Sequence, residues 1–178
     1  MMQKITSANT SIKQVPAIFK KVNFEPCTLN FDIGCGKYPE LLTAEMRRIG
    51  VINVGWDPYH TKSNLQVNSK WVHKNGFCKG KFDTVTCCNV LNVLEKGGDI
   101  YNILKLAYKL IKSTGIVYFL IYEGDKSGEG RETSKGWQNN QKTSWYEKGV
   151  KYLFPVIKRK GNIIAASKTP LSGTSFNI

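Results

Sequence analysis

The sequence contains a pattern typical of a nucleotide-binding site: a short run of acidic and glycine residues with one more acidic residue downstream. The run DIGCG occupies positions 32–36, and Asp57 follows 21 residues after Gly36. Two glycines let the backbone turn sharply and approach a ligand closely, while a carboxylate beyond the next strand can accept hydrogen bonds from both ribose hydroxyls. Taken singly, the glycines fit an ordinary strand-to-helix turn equally well, and Asp57-Pro58 fits an ordinary turn start.

The glycine pattern is incomplete for a dinucleotide. A dinucleotide site needs the third glycine of GxGxxG, which brings the helix close to the sheet around a pyrophosphate. Pro39 takes that place in this sequence. The pattern therefore favours a nucleotide-like ligand over a dinucleotide, and it disfavours hydride chemistry.

Cysteine and histidine usage argues against metal and thiol chemistry. The five cysteines show no CxxC spacing and lie mostly within apolar runs, where a thiol behaves as a small hydrophobe. The histidines, His60 and His73, lie far apart and have no cysteine at ligand spacing. We therefore expect no metal, no Cys/His nucleophile pair, and a reducing, cytoplasmic location.

The chain is strongly basic. Its 178 residues include 26 Lys and Arg against 13 Asp and Glu, which gives a net charge of +13. Ten basic and three acidic residues fall between Lys126 and Lys168, so this segment alone carries +7. Such an excess favours polyanions such as nucleic acid, phosphorylated substrates or anionic lipid, with solubility as the alternative explanation.

Apolar runs rich in β-branched residues alternate with stretches of helical period. Strands are predicted at 28–33, 51–56, 82–88 and 116–122, with a short additional strand at 71–73. Alternation of this kind is typical of a parallel sheet with crossover helices. The predicted fold is α/β, with a Rossmann-like, doubly wound, mostly parallel sheet and a C-terminal antiparallel hairpin.

Two crossover helices are predicted between these strands. The first begins at Pro39 and ends at Gly50. Asp99 caps the second, which ends at Thr114-Gly115. The apolar positions on one face are Leu42, Met46 and Ile49 in the first helix, and Ile100, Leu104, Ala107 and Ile111 in the second.

The whole chain, residues 1–178, is predicted to form a single domain. Residues 1–24 form an arm or helix, and residues 25–125 form the ligand-binding core. The polar, glycine-rich region within 123–150 is either a lid over the site or a disordered insertion, and residues 151–178 form the hairpin and a tail. The longest apolar stretch is too short to span a bilayer and the N-terminus has no signal-peptide core, so we expect no membrane insertion.

Several segments together resemble class I S-adenosylmethionine-dependent methyltransferases. FDIGCGK resembles the first motif of that family, FDTVTCCNVLNVLE the fourth, and GIVYFLIYEG the strand that backs the active site. The resemblance covers roughly residues 25–125 and implies S-adenosylmethionine as cofactor. The positions that the resemblance implies are Asp32 near the cofactor's amino group, Gly34, Cys35 and Gly36 beneath the methionyl part, and Asp57 and Pro58 at the ribose. Asn75 or the residues around Phe77 lie near the adenine, and Asn89 lies at the edge of the active site.

A narrower resemblance involves three segments. GWDPYH, NVLNVLE and RETSKGWQ together are similar to proteins assigned as methyltransferases that accompany DNA phosphorothioation systems, and to related bacterial or phage proteins. This resemblance implies a methyl donor site. It does not define the acceptor, because similarity of fold places the cofactor and leaves the other substrate open.

The acceptor site lacks the usual signatures of DNA base methylation. Asp57-Pro58-Tyr59 lacks one proline of the D-P-P-Y motif and follows the wrong strand. The position where that motif belongs reads CNVLN, and no Pro-Cys nucleophile for cytosine occurs. Ordinary sequence-specific base methylation is therefore disfavoured. The candidates for orienting an acceptor are Asn89, Tyr122 and the Trp137-Gln138 pair, of which we take Asn89, Tyr122 and Trp137 as the catalytic positions.

Three functions follow from these features. The leading hypothesis is methyl transfer to a nucleic acid or a nucleic-acid-linked group, with the basic C-terminal segment in contact with the polymer. The alternatives are a small-molecule acceptor and a non-catalytic S-adenosylmethionine-binding module in a larger complex. Trp137 or Trp145 either stacks on a base or packs the loop against the sheet, and Asn92 either lines the active site or starts a helix.

Overall fold

The computed structural model describes residues 15–36, 39–58, 80–134, 136–170, 176 and 178. Its helices are α1 (Ile18–Lys21), α2 (Pro39–Arg48), α3 (Gly97–Leu110) and α4 (Thr143–Leu153). Its strands are β1 (Leu29–Ile33), β2 (Ile52–Trp56), β3 (Phe82–Cys88), β4 (Ile111–Leu120), β5 (Arg131–Thr133), β6 (Gly136–Gln138), β7 (Val156–Lys160) and β8 (Ile163–Ser167). A 3₁₀ turn, Leu91–Val93, follows β3.

Six of the strands form one mixed sheet in the order β2-β1-β3-β4-β8-β7. The first four are parallel to one another. β8 is antiparallel to both of its neighbours, β4 and β7, which makes the predicted C-terminal hairpin. β5 and β6 pair separately as a short antiparallel hairpin. The mostly parallel sheet and its terminal hairpin are confirmed, while the strand predicted at 71–73 lies outside the described residues.

Helices cover both faces of the sheet, as the doubly wound prediction requires. β4 shows the two faces directly, because Val117 and Phe119 belong to one apolar core and Tyr118 and Leu120 to another. The first core contains residues of α3 and α4, and the second contains residues of α1 and α2. Burying each such large side chain stabilises the fold by roughly 1.5–3 kcal/mol.

The crossover helices form where predicted, although their ends differ. α2 stops at Arg48, so Ile49 lies in the following turn with 44% exposure and the prediction that it faces the core is wrong. α3 begins at Gly97 with Lys96 as its cap residue, and Asp99 lies in the first turn, where its charge favours the positive helix end. The prediction of Asp99 as the cap is therefore wrong.

The boundary between α3 and β4 is also earlier than predicted. The helix ends at Leu110, and Ile111 adopts an extended conformation and begins the strand. The pairing of β4 with β3 has an irregularity that lets the strand extend back from Ile116 to Ile111. Ile111 is still fully buried, but as a strand residue, and Tyr122 lies beyond the strand's end.

The predicted lid region contains more regular structure than its polar composition indicates. The β5-β6 hairpin and most of α4 fall within residues 123–150. The sequence analysis missed α4, whose buried residues Thr143, Tyr146 and Val150 recur at helical spacing among lysines and exposed aromatics. Movement of this region as a lid stays a prediction. Among the described helices, none has the length and apolar character needed to cross a membrane.

Candidate active site

An open cleft of 1460 Å³ lies where the carboxyl ends of β1 to β4 meet. Ligand sites of open α/β sheets lie at this edge, beyond the carboxyl ends of the strands. The cleft brings together nearly all of the residues that the sequence analysis singled out: Asp32, Gly34, Cys35, Gly36, Asp57, Pro58, Asn89, Tyr122 and Trp137. Asn75 lies outside the described residues.

The turn after β1 depends on backbone conformations that favour glycine. Gly34 has a φ of +72° and Gly36 a φ of +71°. The N–H groups of Gly34 and Cys35 donate to the carbonyl of Trp56 at 2.7 and 3.2 Å, which fixes the turn against the end of β2. A Cβ on Gly34 would lie 2.4 Å from Cγ2 of Val90, in the segment after β3. The first and fourth motifs therefore meet at this glycine.

Gly34→Ala is expected to destabilise the fold by about 2–5 kcal/mol, because a positive φ costs roughly 1–2 kcal/mol and overpacking roughly 1–3 kcal/mol. Urea unfolding measures this. Gly98→Ala is the matched control, since nothing lies within 4 Å of its Cβ position and it belongs to a helix, where alanine stabilises. Adding Val90→Ala to Gly34→Ala should recover part of the lost stability, because it removes the clashing methyl groups. If Gly34→Ala costs the same stability with and without the Val90 side chain, the contact between these residues is refuted.

Asp57 links the end of β2 to the glycine turn. The residue is only 7% exposed, and its Oδ2 accepts a hydrogen bond from the Gly36 N–H at 3.0 Å. The carboxylate is thus held beside the backbone that forms the floor of the cleft. Pro58 follows it and is exposed at the rim.

Asp32 is the second carboxylate of the cleft and is 3% exposed. Its Oδ1 accepts a hydrogen bond from the Thr86 hydroxyl at 2.8 Å. The pKa of Asp32 is raised from 3.8 to about 7, chiefly by burial and to a lesser extent by the charge of Asp57, while the hydrogen bond from Thr86 opposes both. Near neutral pH this carboxyl therefore exchanges between its neutral and ionised forms.

A buried polar network supports Asp32 from below, and the sequence analysis missed it. Asn30 Nδ2 donates to Asn53 Oδ1 at 2.7 Å and to the Thr86 hydroxyl at 3.1 Å. Thr84 donates to Asn30 Oδ1 at 2.8 Å. The sequence does carry a signal for this network. Polar residues occupy alternate positions of β1 and β3, and alternate residues of a strand lie on the same face of the sheet. The network fixes the relative positions of β1, β2 and β3 beneath the cleft.

The acceptor candidates lie at the mouth of the cleft. Asn89 adopts a φ of +57°, is exposed, and donates its N–H to the Leu120 carbonyl at 2.8 Å. Tyr122 is 60% exposed and Trp137 is half-buried. Asn92 does not start an α-helix. It is buried in the 3₁₀ turn and belongs to the lining of the cleft, and its Nδ2 donates to Gln138 Oε1 at 3.1 Å.

Asn139 fastens the β5-β6 hairpin to the segment after β3. Its Nδ2 donates to the carbonyls of Leu91 and Leu94 at 3.1 and 2.9 Å, and its Oδ1 accepts from the Trp137 indole at 2.7 Å. A parallel contact runs through Gln138, whose Nε2 donates to the Tyr122 carbonyl at 3.1 Å. These contacts hold Trp137 and Tyr122 at the same side of the cleft. The sequence analysis did not single out Asn139.

Asn139→Ala should destabilise the fold by about 2–3 kcal/mol, because buried carbonyls lose their donors. Urea unfolding at pH 7 is the measurement. Asn102→Ala is the control, because Asn102 is an exposed amide on α3 that lines the cleft, and its loss should change stability by no more than about 0.5 kcal/mol. Similar losses for both variants would show that the hairpin does not depend on Asn139.

The cysteines of the site are not activated. Burial is the main cause that raises the pKa of Cys35 and Cys88, and the nearby Asp32 raises both further. A thiol is nucleophilic only as the thiolate, so these groups stay neutral and unreactive at neutral pH. Within the described residues, no group of three or more His, Cys, Asp or Glu is placed to hold a metal.

The structure is similar to solved methyltransferase structures. A Haloferax volcanii protein assigned as a methyltransferase, in complex with the Trm112 methyltransferase activator, has a TM-score of 0.57 and 13% identity over 79% of this chain and 67% of that one. The 1,6-didemethyltoxoflavin-N1-methyltransferase of Burkholderia thailandensis, with bound 1,6-didemethyltoxoflavin and S-adenosylhomocysteine, has a TM-score of 0.57 and 14% identity over 82% and 72%. A Listeria monocytogenes protein assigned as an S-adenosylmethionine-dependent methyltransferase has a TM-score of 0.50 and 12% identity over 83% and 93%.

The comparisons define the fold. No family model and no curated protein matches the sequence. At identities of 12–14%, the likeness to solved structures extends to the fold of class I S-adenosylmethionine-dependent methyltransferases, as the sequence resemblance implies. The narrower resemblance to proteins of DNA phosphorothioation systems stays a prediction.

Proposed function

We propose that this chain is an S-adenosylmethionine-dependent methyltransferase. The observation that carries the proposal is that Asp32, the glycine turn at 34–36 and Asp57 converge in one cleft at the carboxyl ends of the strands. The fold around that cleft is one that holds S-adenosylhomocysteine in a solved methyltransferase of similar structure. Fold and site residues thus point to the same ligand independently.

The residues of the cleft fit the cofactor. The close approach of Val90 to Gly34 leaves no space for a side chain on that glycine, and the backbone of the glycine turn lines the floor of the cleft. Asp57 lies next to that floor, where a carboxylate can accept hydrogen bonds from ribose hydroxyls. The volume of 1460 Å³ exceeds the roughly 300–1,000 Å³ of most small-molecule sites, so the cleft has room for a cofactor and an acceptor together.

When bound, S-adenosylmethionine supplies a methyl group that its sulfonium has already activated. The chain's own residues then position the reactants and exclude water. Asp57 would hold the ribose through its hydroxyls, and Asp32 would accept a hydrogen bond from the amino group. Asn89, Tyr122 and Trp137 surround the mouth of the cleft and orient the acceptor, with Trp137 held by Asn139.

We infer that the acceptor is a nucleic acid or a nucleic-acid-linked group. The net charge of +7 between Lys126 and Lys168 supports a polyanionic substrate. The segment RETSKGWQ, part of the narrower resemblance, contains the β5-β6 hairpin, and both Arg131 and Trp137 line the cleft. An aromatic side chain at that place suits a planar base.

Transfer of a radiolabelled methyl group from S-adenosylmethionine into a bacterial lysate, fractionated with and without nuclease, tests the proposal. Label that nuclease releases supports a nucleic-acid acceptor. Label that stays in nuclease-resistant small molecules overturns the acceptor and leaves the methyltransferase. Binding of the cofactor without any label would favour a non-catalytic module. Asp57→Ala is the negative control for each fraction.

A further inference from the structure

The outer sides of α3 and α4 form one exposed surface that combines aromatic and basic side chains. We call it the α3–α4 surface, and its residues are Tyr101, Lys105, Lys109, Trp145, Lys148, Lys151 and Tyr152. Tyr152 is 77% exposed and Trp145 is 51% exposed. Large aromatic groups at this level of exposure, clustered on one surface, mark an interaction site more often than a structural need.

Two of the exposed aromatic residues meet across the two helices. Trp145 and Tyr152 are seven residues apart and therefore share one face of α4. The ring centroids of Tyr152 and Tyr101 lie 6.2 Å apart, which joins that face to α3. Gly149 permits this closeness, because a Cβ there would lie 3.3 Å from Cδ1 of Leu104. The inward face of α4 is already filled by Tyr146 and Val150. Trp145 contacts Tyr146 edge-on, with ring centroids 4.9 Å apart, and Tyr152 stays outside the core.

Within the part of the chain that the structure describes, the lysines of this surface have no acidic partners. The ion pairs among the described residues leave out Lys105, Lys109, Lys148 and Lys151. Across their full lengths, α3 and α4 contain just two acidic residues. Asp99 lines the cleft, and Glu147 pairs with Arg159. The surface is therefore positively charged and complementary to a polyanion.

The surface is also continuous with the candidate active site. α3 begins at the cleft, where Asp99, Asn102 and Ile103 belong to its lining. Tyr101 lies between these residues and projects to the outside. The cleft itself contains more acidic than basic side chains, so it offers little attraction for a phosphate backbone. A charged polymer needs a separate contact surface.

We propose that the α3–α4 surface binds single-stranded nucleic acid and leads the strand to the cleft; this inference rests on the proposed nucleic-acid acceptor. Lysines contact the phosphates, and exposed aromatic rings stack on bases. A single strand fits better than a duplex because its bases are free to stack. Basic and aromatic side chains interleaved on one surface are the combination that such strands require.

Fluorescence anisotropy of the full chain with a labelled 12-nucleotide oligo-dT or oligo-U, at several salt concentrations and without S-adenosylmethionine, tests this. Lys148→Gln with Lys151→Gln should weaken binding and reduce the slope of log K against log salt by about 1.4, at about 0.7 per phosphate contact. Tyr152→Ala should weaken binding at least about 5-fold at every salt concentration without changing the slope. Tyr152→Phe should bind like the unchanged chain.

A charge-matched control lies on the opposite face of the sheet. Lys21→Gln with Arg47→Gln removes the same charge from α1 and α2, whose residues pack in the other core, and should leave the slope unchanged. Equal effects of both double variants, or no effect of Tyr152→Ala in a folded protein, would overturn the inference. Loss of a dimer in sedimentation for the Tyr152→Ala variant, with unchanged oligonucleotide binding, would assign the surface to self-association and also overturn it.

The two proposals fail in different ways. If nucleic acid carries the methyl label but every surface variant binds the oligonucleotide like wild type, the role of the α3–α4 surface is refuted and the nucleic-acid acceptor is kept. Specific oligonucleotide binding through this surface, with label solely in small molecules, would keep the surface and refute the acceptor.

Discussion

Asp57→Ala is expected to weaken the binding of S-adenosylmethionine by at least about 100-fold. Hydrogen bonds to a charged group contribute about 1.5–3 kcal/mol each, and the carboxylate is placed to accept from both ribose hydroxyls. The variant also removes the acceptor of the Gly36 N–H, a bond of 3.0 Å that holds the glycine turn. Isothermal titration calorimetry measures the loss, and unchanged affinity would refute the site.

Two further variants separate the causes of that loss. Asp57→Asn keeps an acceptor for Gly36 but lacks the charge and the second acceptor oxygen, so an intermediate loss of about 10-fold is expected. Asp83→Ala is the matched control at the opposite end of the strands. Its carboxylate accepts from the Leu29 N–H at 2.9 Å and from Lys112 at 2.6 Å, so its loss should lower stability and leave cofactor affinity within about 2-fold.

The parallel core of the fold was predictable because its local signals agree with one another. β1 and β2 are short apolar runs that end at turn residues, and the helix between them has its apolar positions at helical spacing. Each strand end carries a residue type suited to a ligand, and parallel strands bring such ends to one edge. This is why residues far apart in the sequence, such as Asp32, Asn89 and Trp137, line the same cleft.

The C-terminal third was less predictable because tertiary contacts, rather than local pattern, define it. Gln138, Asn139 and Asn140 read as a polar loop in the sequence, yet all three are buried. Their amide groups donate to backbone carbonyls elsewhere in the chain: Asn139 to the segment after β3, Gln138 to Tyr122 after β4, and Asn140 to Glu129. No local pattern shows the two distant partners. α4 was missed for a related reason, since its exposed aromatics obscure the helical spacing of its buried residues.

Stability should fall as the pH rises from about 4 to about 7, and Asp32→Asn should remove this dependence. The pKa of Asp32 is raised from 3.8 to about 7, chiefly by burial. Below pH 4 the carboxyl is protonated in both states. Between the two pKa values the unfolded chain ionises while the folded chain keeps its proton, so each pH unit lowers the free energy of unfolding. The total difference is on the order of 4 kcal/mol.

Urea unfolding of the two proteins between pH 4 and 8 measures this difference. The comparison should use the slopes of unfolding free energy against pH, because the buried amide of Asp32→Asn shifts the free energy by the same amount at every pH. The amide keeps an acceptor for the Thr86 hydroxyl. Both proteins contain His60 and His73, so histidine titration cancels between them. Parallel stability curves would show that Asp32 is ionised throughout the range.

Asp57→Asn provides an independent check on the cause of the Asp32 shift. The charge of Asp57 raises the pKa of Asp32, but less than burial does. Removing that charge should therefore move the upper end of the pH window to a lower pH and reduce the total loss of stability without abolishing it. If the pH dependence disappears in Asp57→Asn, charge repulsion between the two carboxylates causes the pKa shift of Asp32. If the pH window does not move, the two carboxyl groups titrate independently.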